Sequence, residues 1–141
     1  MSDTRRRDER GFTLIELLVV MTILAILAAL VVPRLFNSLE KSKVDAAKAQ
    51  IAAFDTALAA YRLDVGSFPT TDQGLAALRV APAGVQNWDG PYLPKDVPQD
   101  PWGNPYIYRS PSKHGDYEII SYGADGREGG EGVNADIESW K

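Results

Sequence analysis

A long segment near the amino terminus, apolar at all but three positions, constrains the fold of this chain more than any other feature. Residues 12–32 read FTLIELLVVMTILAILAALVV, and only Thr13, Glu16 and Thr22 in this segment are polar. At a rise of about 1.5 Å per residue, a helix of this length spans the hydrocarbon core of a bilayer, which is about 30 Å thick. We therefore predict a single membrane-spanning helix over residues 12–33.

The charges before this segment predict its orientation. Four arginines precede it, at positions 5, 6, 7 and 10, and the positive-inside rule keeps such a stretch in the cytoplasm. A secretory signal peptide has a similar layout, but its apolar core is about 7 to 15 residues long and leads into a small-x-small cleavage site. Here Val32 is followed by Pro33 and Arg34. The sequence therefore favours an anchor that leaves most of the chain outside the cytoplasm.

The helix is predicted to continue well beyond the membrane. Six apolar residues follow at spacings of three and four, which place one apolar stripe on a helix: Val44, Ala47, Ile51, Phe54, Leu58 and Tyr61. The pattern ends where Gly66 suits a helix C-cap and Pro69 cannot continue a helix. One helix of about 50 residues results, and its second half, residues 34–66, packs against a domain.

Pro33 lies inside this helix, at the point where lipid would give way to the domain. A proline removes one helical hydrogen bond and clashes with the preceding turn, which favours a kink or a local break. The sequence fits equally a built-in flexure and a helix that stops and restarts at the membrane surface.

The chain changes in character after Pro69. Residues 71–78 have the pattern of a short helix, with Thr71 or Asp72 as its cap. Residues 82–105 contain six prolines, which favour a long ordered loop over regular structure. Three aromatic side chains are predicted to pin this loop through buried area: Trp88, Tyr92 and Trp102.

Two strands are predicted in the globular part, which we place at residues 67–141. Residues 106–109 and 117–122 are rich in tyrosine and isoleucine and are joined by a turn containing proline, serine and glycine. The predicted fold class is therefore α+β, with the long helix packed on a small antiparallel sheet.

The last segment combines backbone freedom with hard oxygen donors. Residues 122–137 contain five glycines and a set of acidic and amide side chains: Asp125, Glu128, Glu131, Asn134 and Asp136. A calcium ion takes about six to eight oxygen ligands, which such a loop can offer. The spacing is not that of an EF-hand, because Arg127 stands two positions after Asp125. Composition leaves a calcium loop and a solvated acidic turn both open.

Composition also excludes several functions. The chain has no cysteine and one histidine, His114, so it lacks the residues for disulfides, a thiol nucleophile or a cysteine-based zinc site. A formal net charge of -4 does not favour nucleic-acid binding. Carboxylate chemistry remains, and a membrane-anchored hydrolase could pair Asp116 with Glu118, two positions apart on a predicted strand. A solvated strand face gives the same pattern.

The amino terminus resembles the class III signal of type IV pilins and type II secretion pseudopilins. Residues 11–16, GFTLIE, combine a glycine, an aromatic residue and a glutamate five places after the glycine, and the apolar segment follows at once. Further stretches resemble the major pseudopilin, or G subunit, family of bacterial type II secretion systems: residues 68–75, 88–93, 100–106 and 121–140. The resemblance implies a type IV pilin-like fold and covers nearly the whole chain from Gly11.

The resemblance also implies a processing site. Residues 1–11 would be a leader, and a prepilin peptidase would cut between Gly11 and Phe12 and methylate the new amino group of Phe12. Glu16 would lie in hydrocarbon, where a carboxylate costs on the order of 3 kcal/mol. In the family its partner is the amino terminus of an adjacent subunit, whereas an acid reaching to the headgroups is the alternative. We expect Glu16 and Pro33 to act in assembly.

The family also binds calcium in its C-terminal loop. By resemblance, the ligands in this chain are two carboxylates and two backbone carbonyls: Asp125, Asp136, Tyr122 and Val133. Asn134 is a further side-chain candidate, although Ala135 stands where other members can carry an acid. In a chain without cysteine, a bound ion would fasten a loop that has little core of its own.

The function that the resemblance implies is structural and not enzymatic. The chain would be a single-pass protein of the bacterial inner membrane, in contact with lipid, with its globular part in the periplasm. It would then polymerise into a helical homo-oligomeric filament, an open-ended head-to-tail assembly. Its partners would be the prepilin peptidase, other pseudopilins and the inner-membrane platform, and the filament would drive export of folded proteins. A major or minor type IV pilin is the alternative, but those proteins usually carry a cysteine bridge.

Overall fold

The computed structural model describes residues 11–141, so the predicted leader lies outside the described residues except for Gly11. The helix and strands are α1 Leu14–Val65, β1 Ile107–Arg109, β2 Glu118–Ser121 and β3 Ile137–Glu138. Two short 3₁₀ helices complete the described structure, Leu75–Leu78 and Gly132–Asn134. The described residues fall into two compact units, of which the first ends at Ser38 and the second is Leu39–Lys141.

The first unit consists of the amino-terminal part of α1. Its large apolar side chains are exposed along the helix, from Leu14 to Phe36. By length and composition, α1 qualifies as a helix that can cross a membrane, as predicted. α1 is also continuous through Pro33, so it does not stop and restart there. A proline removes one bond of the helical ladder, and the helical residues on both sides keep theirs.

In the second unit, α1 contributes one apolar face to the core. Its buried residues are Ala47, Ile51, Phe54, Ala57, Leu58 and Tyr61. The predicted stripe is confirmed, because five of its members are buried and Val44 is partly buried against the same cluster. Gly66 ends the helix in the left-handed region, at φ 95°, and its N–H donates to the carbonyl of Arg62 at 2.8 Å.

The strands form one antiparallel sheet in the order β1-β2-β3. Tyr108 lies opposite Ile119, and Ser121 lies opposite Ile137. Both predicted strands are confirmed to within one residue at each end. The third strand was not predicted, because Ile137–Glu138 is too short to show an alternating pattern.

The predicted helix over residues 71–78 is shorter than expected. Only Leu75–Leu78 is helical, as a 3₁₀ turn, and its N-cap is Gly74. The backbone of Gly74, at φ 63° and ψ -168°, interrupts any helix running through it. Thr71 caps nothing in this turn, since its hydroxyl instead donates to the carbonyl of Ser110 at 3.1 Å.

Residues 82–105 contain no helix or strand, as predicted. The indole of Trp88 donates to the carbonyl of Ala77 at 2.8 Å. The ring of Tyr92 packs edge-on against both Trp88 and Tyr61, with centroids 5.6 Å apart in each pair. These aromatic contacts fasten the loop to the end of α1.

Candidate functional site

The predicted processing residues Gly11 and Phe12 lie just before α1, Glu16 lies in its first turn, and Pro33 lies further along the same helix. Phe12 is 86% exposed, and α1 begins two residues later at Leu14. The backbone N–H of Glu16 donates to the hydroxyl of Thr13 at 3.1 Å, so Thr13 is the N-cap and Glu16 the third helical residue. The sequence pattern T-x-x-E of residues 13–16 is typical of such a cap. The Glu16 carboxylate therefore lies in the first turn, where the helix dipole favours negative charge.

The residues predicted to bind calcium lie on two arms of the C-terminal loop. The N–H of Ala124 donates to the carbonyl of Val133 at 2.9 Å, which joins the arms directly. Gly123 has φ 74°, and a Cβ there would lie 2.8 Å from the carbonyl oxygens of both Val133 and Ala135. Only glycine allows this approach, so the backbone brings the two ends of the loop together.

Both predicted aspartate ligands accept backbone hydrogen bonds within the loop. One carboxylate oxygen of Asp125 accepts the N–H of Arg127 at 3.1 Å, and Asp125 is exposed. Both oxygens of Asp136 lie 3.1 Å from the N–H of Gly129. Asn134 ends the 3₁₀ turn Gly132–Asn134 and is exposed.

The loop fits a hard cation in its donor chemistry. Its candidate donors are all oxygens, and the short arms place Asp125 on one side and Val133 and Asp136 on the other. Within residues 11–141, no three Asp, Glu or His side chains come together as a metal-binding group. A site here would therefore take two carboxylates and complete its shell with backbone carbonyls and water.

The two carboxylates considered for a hydrolase have other partners. Asp116 lies on the turn before β2 and not on one strand with Glu118, as the hydrolase pairing requires, and it pairs with Arg62 at 3.6 Å. The side chain of Glu118 is only 9% exposed, with one oxygen 3.1 Å from the guanidinium of Arg109. The hydroxyl of Ser112 lies 3.3 Å from its other oxygen. Each carboxylate is thus engaged by a cation, which does not suit a paired acid and base.

Sequence reasoning missed a buried carboxylate beneath the C-terminal loop. Asp100 is 4% exposed and accepts three hydrogen bonds. Their donors are the backbone N–H groups of Trp102 and Asn104, at 3.1 and 2.8 Å, and the hydroxyl of Ser121 at 2.8 Å. An aspartate before Pro-Trp-Gly signals a turn, but its bond to Ser121 crosses 21 residues and leaves no local pattern.

The turn at Asp100 reaches α1 through Trp102. The indole N–H of Trp102 donates to one oxygen of Glu40 at 3.1 Å, and Lys43 lies 3.5 Å from the other oxygen. The Trp102 hydrogen bond, with a smaller contribution from Lys43, lowers the pKa of Glu40 below its usual value.

Comparison with known proteins identifies relatives over nearly the whole chain. The family model "Type II secretion system (T2SS), protein G" matches residues 34–140, and the "Prokaryotic N-terminal methylation motif" matches residues 6–32. A type II secretion system core protein G from Pseudomonas aeruginosa is 48% identical, over 96% of this chain and 98% of its own. The corresponding protein of Vibrio cholerae is 47% identical, over 96% of this chain and 94% of its own.

A solved structure shows the same fold. The crystal structure of the major pseudopilin from the type 2 secretion system of enterohaemorrhagic Escherichia coli aligns with a TM-score of 0.62 and 36% identity. The alignment covers 77% of this chain and 95% of that one. These matches confirm the predicted pseudopilin resemblance and favour it over a type IV pilin. The chain belongs to the protein G family of type II secretion systems.

Proposed function

We propose that this chain is the structural subunit of a type II secretion pseudopilus, which polymerises to drive the export of folded proteins. One observation carries this proposal: the methylation motif at residues 6–32 is followed directly by the protein G family match at residues 34–140. The chain therefore combines the processing signal of a pilin-like precursor with the body of a secretion subunit. It acts by assembly and carries out no catalysis.

The first step of the proposed pathway is maturation. A prepilin peptidase cuts between Gly11 and Phe12 and methylates the amino group of Phe12. The exposure of Phe12 and the start of α1 at Leu14 support this proposal, because two residues of non-helical chain follow the bond. A peptidase needs extended and accessible backbone at the bond that it cuts.

Assembly is the second step, and it starts from the inner membrane. The exposed apolar part of α1 suits lipid before assembly and neighbouring helices after it. Glu16 is a lone carboxylate in the first turn of that helix, so a bilayer favours its pairing with a positive amino terminus of the next subunit. The second unit, Leu39–Lys141, then lies in the periplasm.

Calcium is proposed to stabilise the C-terminal loop. The side chains of Asp125 and Asp136, with the carbonyls of Tyr122 and Val133, would hold the ion, and Asn134 is a further candidate. The support is the joining of the two loop arms at Ala124 and Val133 and the oxygen-only donor set. When bound, the ion supplies a cross-link between the two arms.

Complementation tests the proposed function. The full chain is produced in a Pseudomonas aeruginosa strain that lacks its own core protein G, and a secreted enzyme is measured in the medium. We expect secretion to return, together with a processed, methylated subunit and filaments in sheared cell fractions. Filaments without secretion would contradict the export role and leave the assembly role standing. A processed protein that stays monomeric in the membrane would contradict both.

A further inference from the structure

The buried carboxylate of Asp100 joins two segments that are distant in the chain. One of its oxygens fixes the turn at residues 100–104, by accepting the N–H groups of Trp102 and Asn104. Two backbone bonds close the same turn, Asp100 N–H to Asn104 at 2.7 Å and Gly103 N–H to Asp100 at 2.9 Å. Its other oxygen accepts the hydroxyl of Ser121. The turn therefore cannot move away from β2 without leaving a buried carboxylate short of a donor.

Ser121 extends this connection into the C-terminal loop. Its side chain is fully buried, and its oxygen also accepts the N–H of Gly123 at 3.3 Å. Gly123 is the residue that lies against the carbonyls of Val133 and Ala135. One hydroxyl thus links Asp100 to the point where the two arms of the loop meet.

A second contact joins the same two segments. A Cβ at Gly126 would lie 2.9 Å from the side-chain amide nitrogen of Asn104. The C-terminal loop is therefore linked to the 100–104 turn at two places, through Ser121 to Asp100 and through Gly126 to Asn104. A shift of the loop displaces the turn, because close-packed groups transmit displacement.

The far side of the turn carries Trp102, whose indole holds Glu40 on α1. We infer that Asp100 is a positioning residue that couples the C-terminal loop, residues 122–136, to the Trp102–Glu40 contact. Ordering of the loop strengthens that contact, and loss of the contact loosens the loop. The inference rests on the proposed function only in taking calcium as the ion that orders the loop. The coupling itself depends on the protein contacts alone.

Hydrogen exchange of the tryptophan indoles tests the coupling. The mature full chain is studied by NMR in detergent micelles, with Trp102 assigned through Trp102→Phe. Gly123→Ala forces the loop arms apart, and we expect exchange at the Trp102 indole to accelerate at least about fivefold, the low end of common coupling energies. Trp88 is the internal control, because its indole donates to Ala77, away from Asp100. Equal acceleration at both indoles would mean general destabilisation and would overturn the inference.

A double-mutant cycle assigns the path. Ser121→Ala removes the shared hydroxyl, so adding Gly123→Ala to it should accelerate Trp102 far less than in the wild type. The matched control is Ser139→Ala, whose hydroxyl accepts the N–H of Ile119 on the same sheet and has no bond to Asp100. If the effects of Ser121→Ala and Gly123→Ala on Trp102 exchange are additive, the coupling does not run through the Ser121 hydroxyl, and this path is overturned. If Gly123→Ala fails to fold, Gly129→Ala replaces it, since Gly129 has φ 83° with open space around it.

Calcium titration separates this inference from the proposed calcium site. Binding heat and Trp102 exchange are measured on the same sample, with calcium or with chelator. We expect calcium to slow exchange at Trp102 in the wild type and to slow it far less in Ser121→Ala. Binding heat without slower exchange would overturn the coupling and leave the calcium site intact. If there is no heat, the calcium site fails, and the glycine variants alone decide the coupling.

Discussion

The substitution Tyr108→Phe tests how much one buried phenol contributes to the unfolding free energy of the globular part. Tyr108 lies in β1, is 7% exposed and donates to the carbonyl of Pro69 at 2.7 Å. Pro69 is itself fully buried. The substitution leaves this carbonyl without its donor, which costs about 1 to 3 kcal/mol of unfolding free energy at neutral pH. We therefore expect Tyr108→Phe to be folded but less stable.

The same phenol lowers the unfolding free energy of the wild type at alkaline pH, and the variant lacks this loss. Burial raises the pKa of Tyr108 to about 12 from an ordinary value of 10.0. The unfolded chain releases the phenol proton at a lower pH than the folded chain does. The stabilisation that the protonated phenol gives is therefore complete below about pH 10 and is lost as the pH rises toward 12. Between about pH 9 and 11 the wild type should lose about 1.3 kcal/mol through this group. Phenylalanine has no proton to lose, so the advantage of the wild type should shrink by that amount.

Urea unfolding of the full chain in micelles, followed by tryptophan fluorescence, measures both effects. Leu78→Ala is the control, because Leu78 is fully buried and does not titrate. The unfolding free energy of Leu78→Ala should lie below that of the wild type by the same amount from about pH 9 to 11. A constant deficit for Tyr108→Phe over the same range would refute the reasoning, since it would show that the phenol ionises equally in both states.

Four further substitutions test the proposed function. Gly11→Glu should block maturation, and an unchanged mature band on a gel with the peptidase present would contradict the cleavage site. Glu16→Ala should be processed normally but assemble poorly, so a normal filament yield would refute its proposed pairing. Asp125→Ala and Asp136→Ala should each lower the melting temperature only in calcium, by removing a ligand; equal melting with calcium and chelator in the wild type would end the calcium proposal.

The long helix was predictable because its physical causes are local. The bilayer requires about 20 apolar residues in succession, and residues 12–32 provide them. Beyond the membrane, the period of three and four residues identified the buried face from Ala47 to Tyr61. Gly66 marked the helix end through its own backbone preference.

The short elements were less predictable, since they depend on partners far away in the chain. β3 has two residues, and it exists because Ile137 pairs with Ser121 of β2. The C-terminal loop was identified by composition, but the approach of Gly123 to Val133 depends on the fold. Composition suggests an oxygen-rich cation site, but which parts of the loop meet is decided by the three-dimensional fold.

The contacts of Asp100 show why the structure of the loop at residues 82–105 is difficult to predict from sequence. The sheet has three strands of two to four residues. Its backbone hydrogen bonds therefore reach few residues of the long loop at 82–105. Side-chain acceptors must then satisfy backbone N–H groups that the sheet does not reach. A single carboxylate does so for Trp102 and Asn104 while binding Ser121. Loop order in this fold thus depends on buried polar contacts between residues that are far apart in the chain, which no short stretch of sequence reveals.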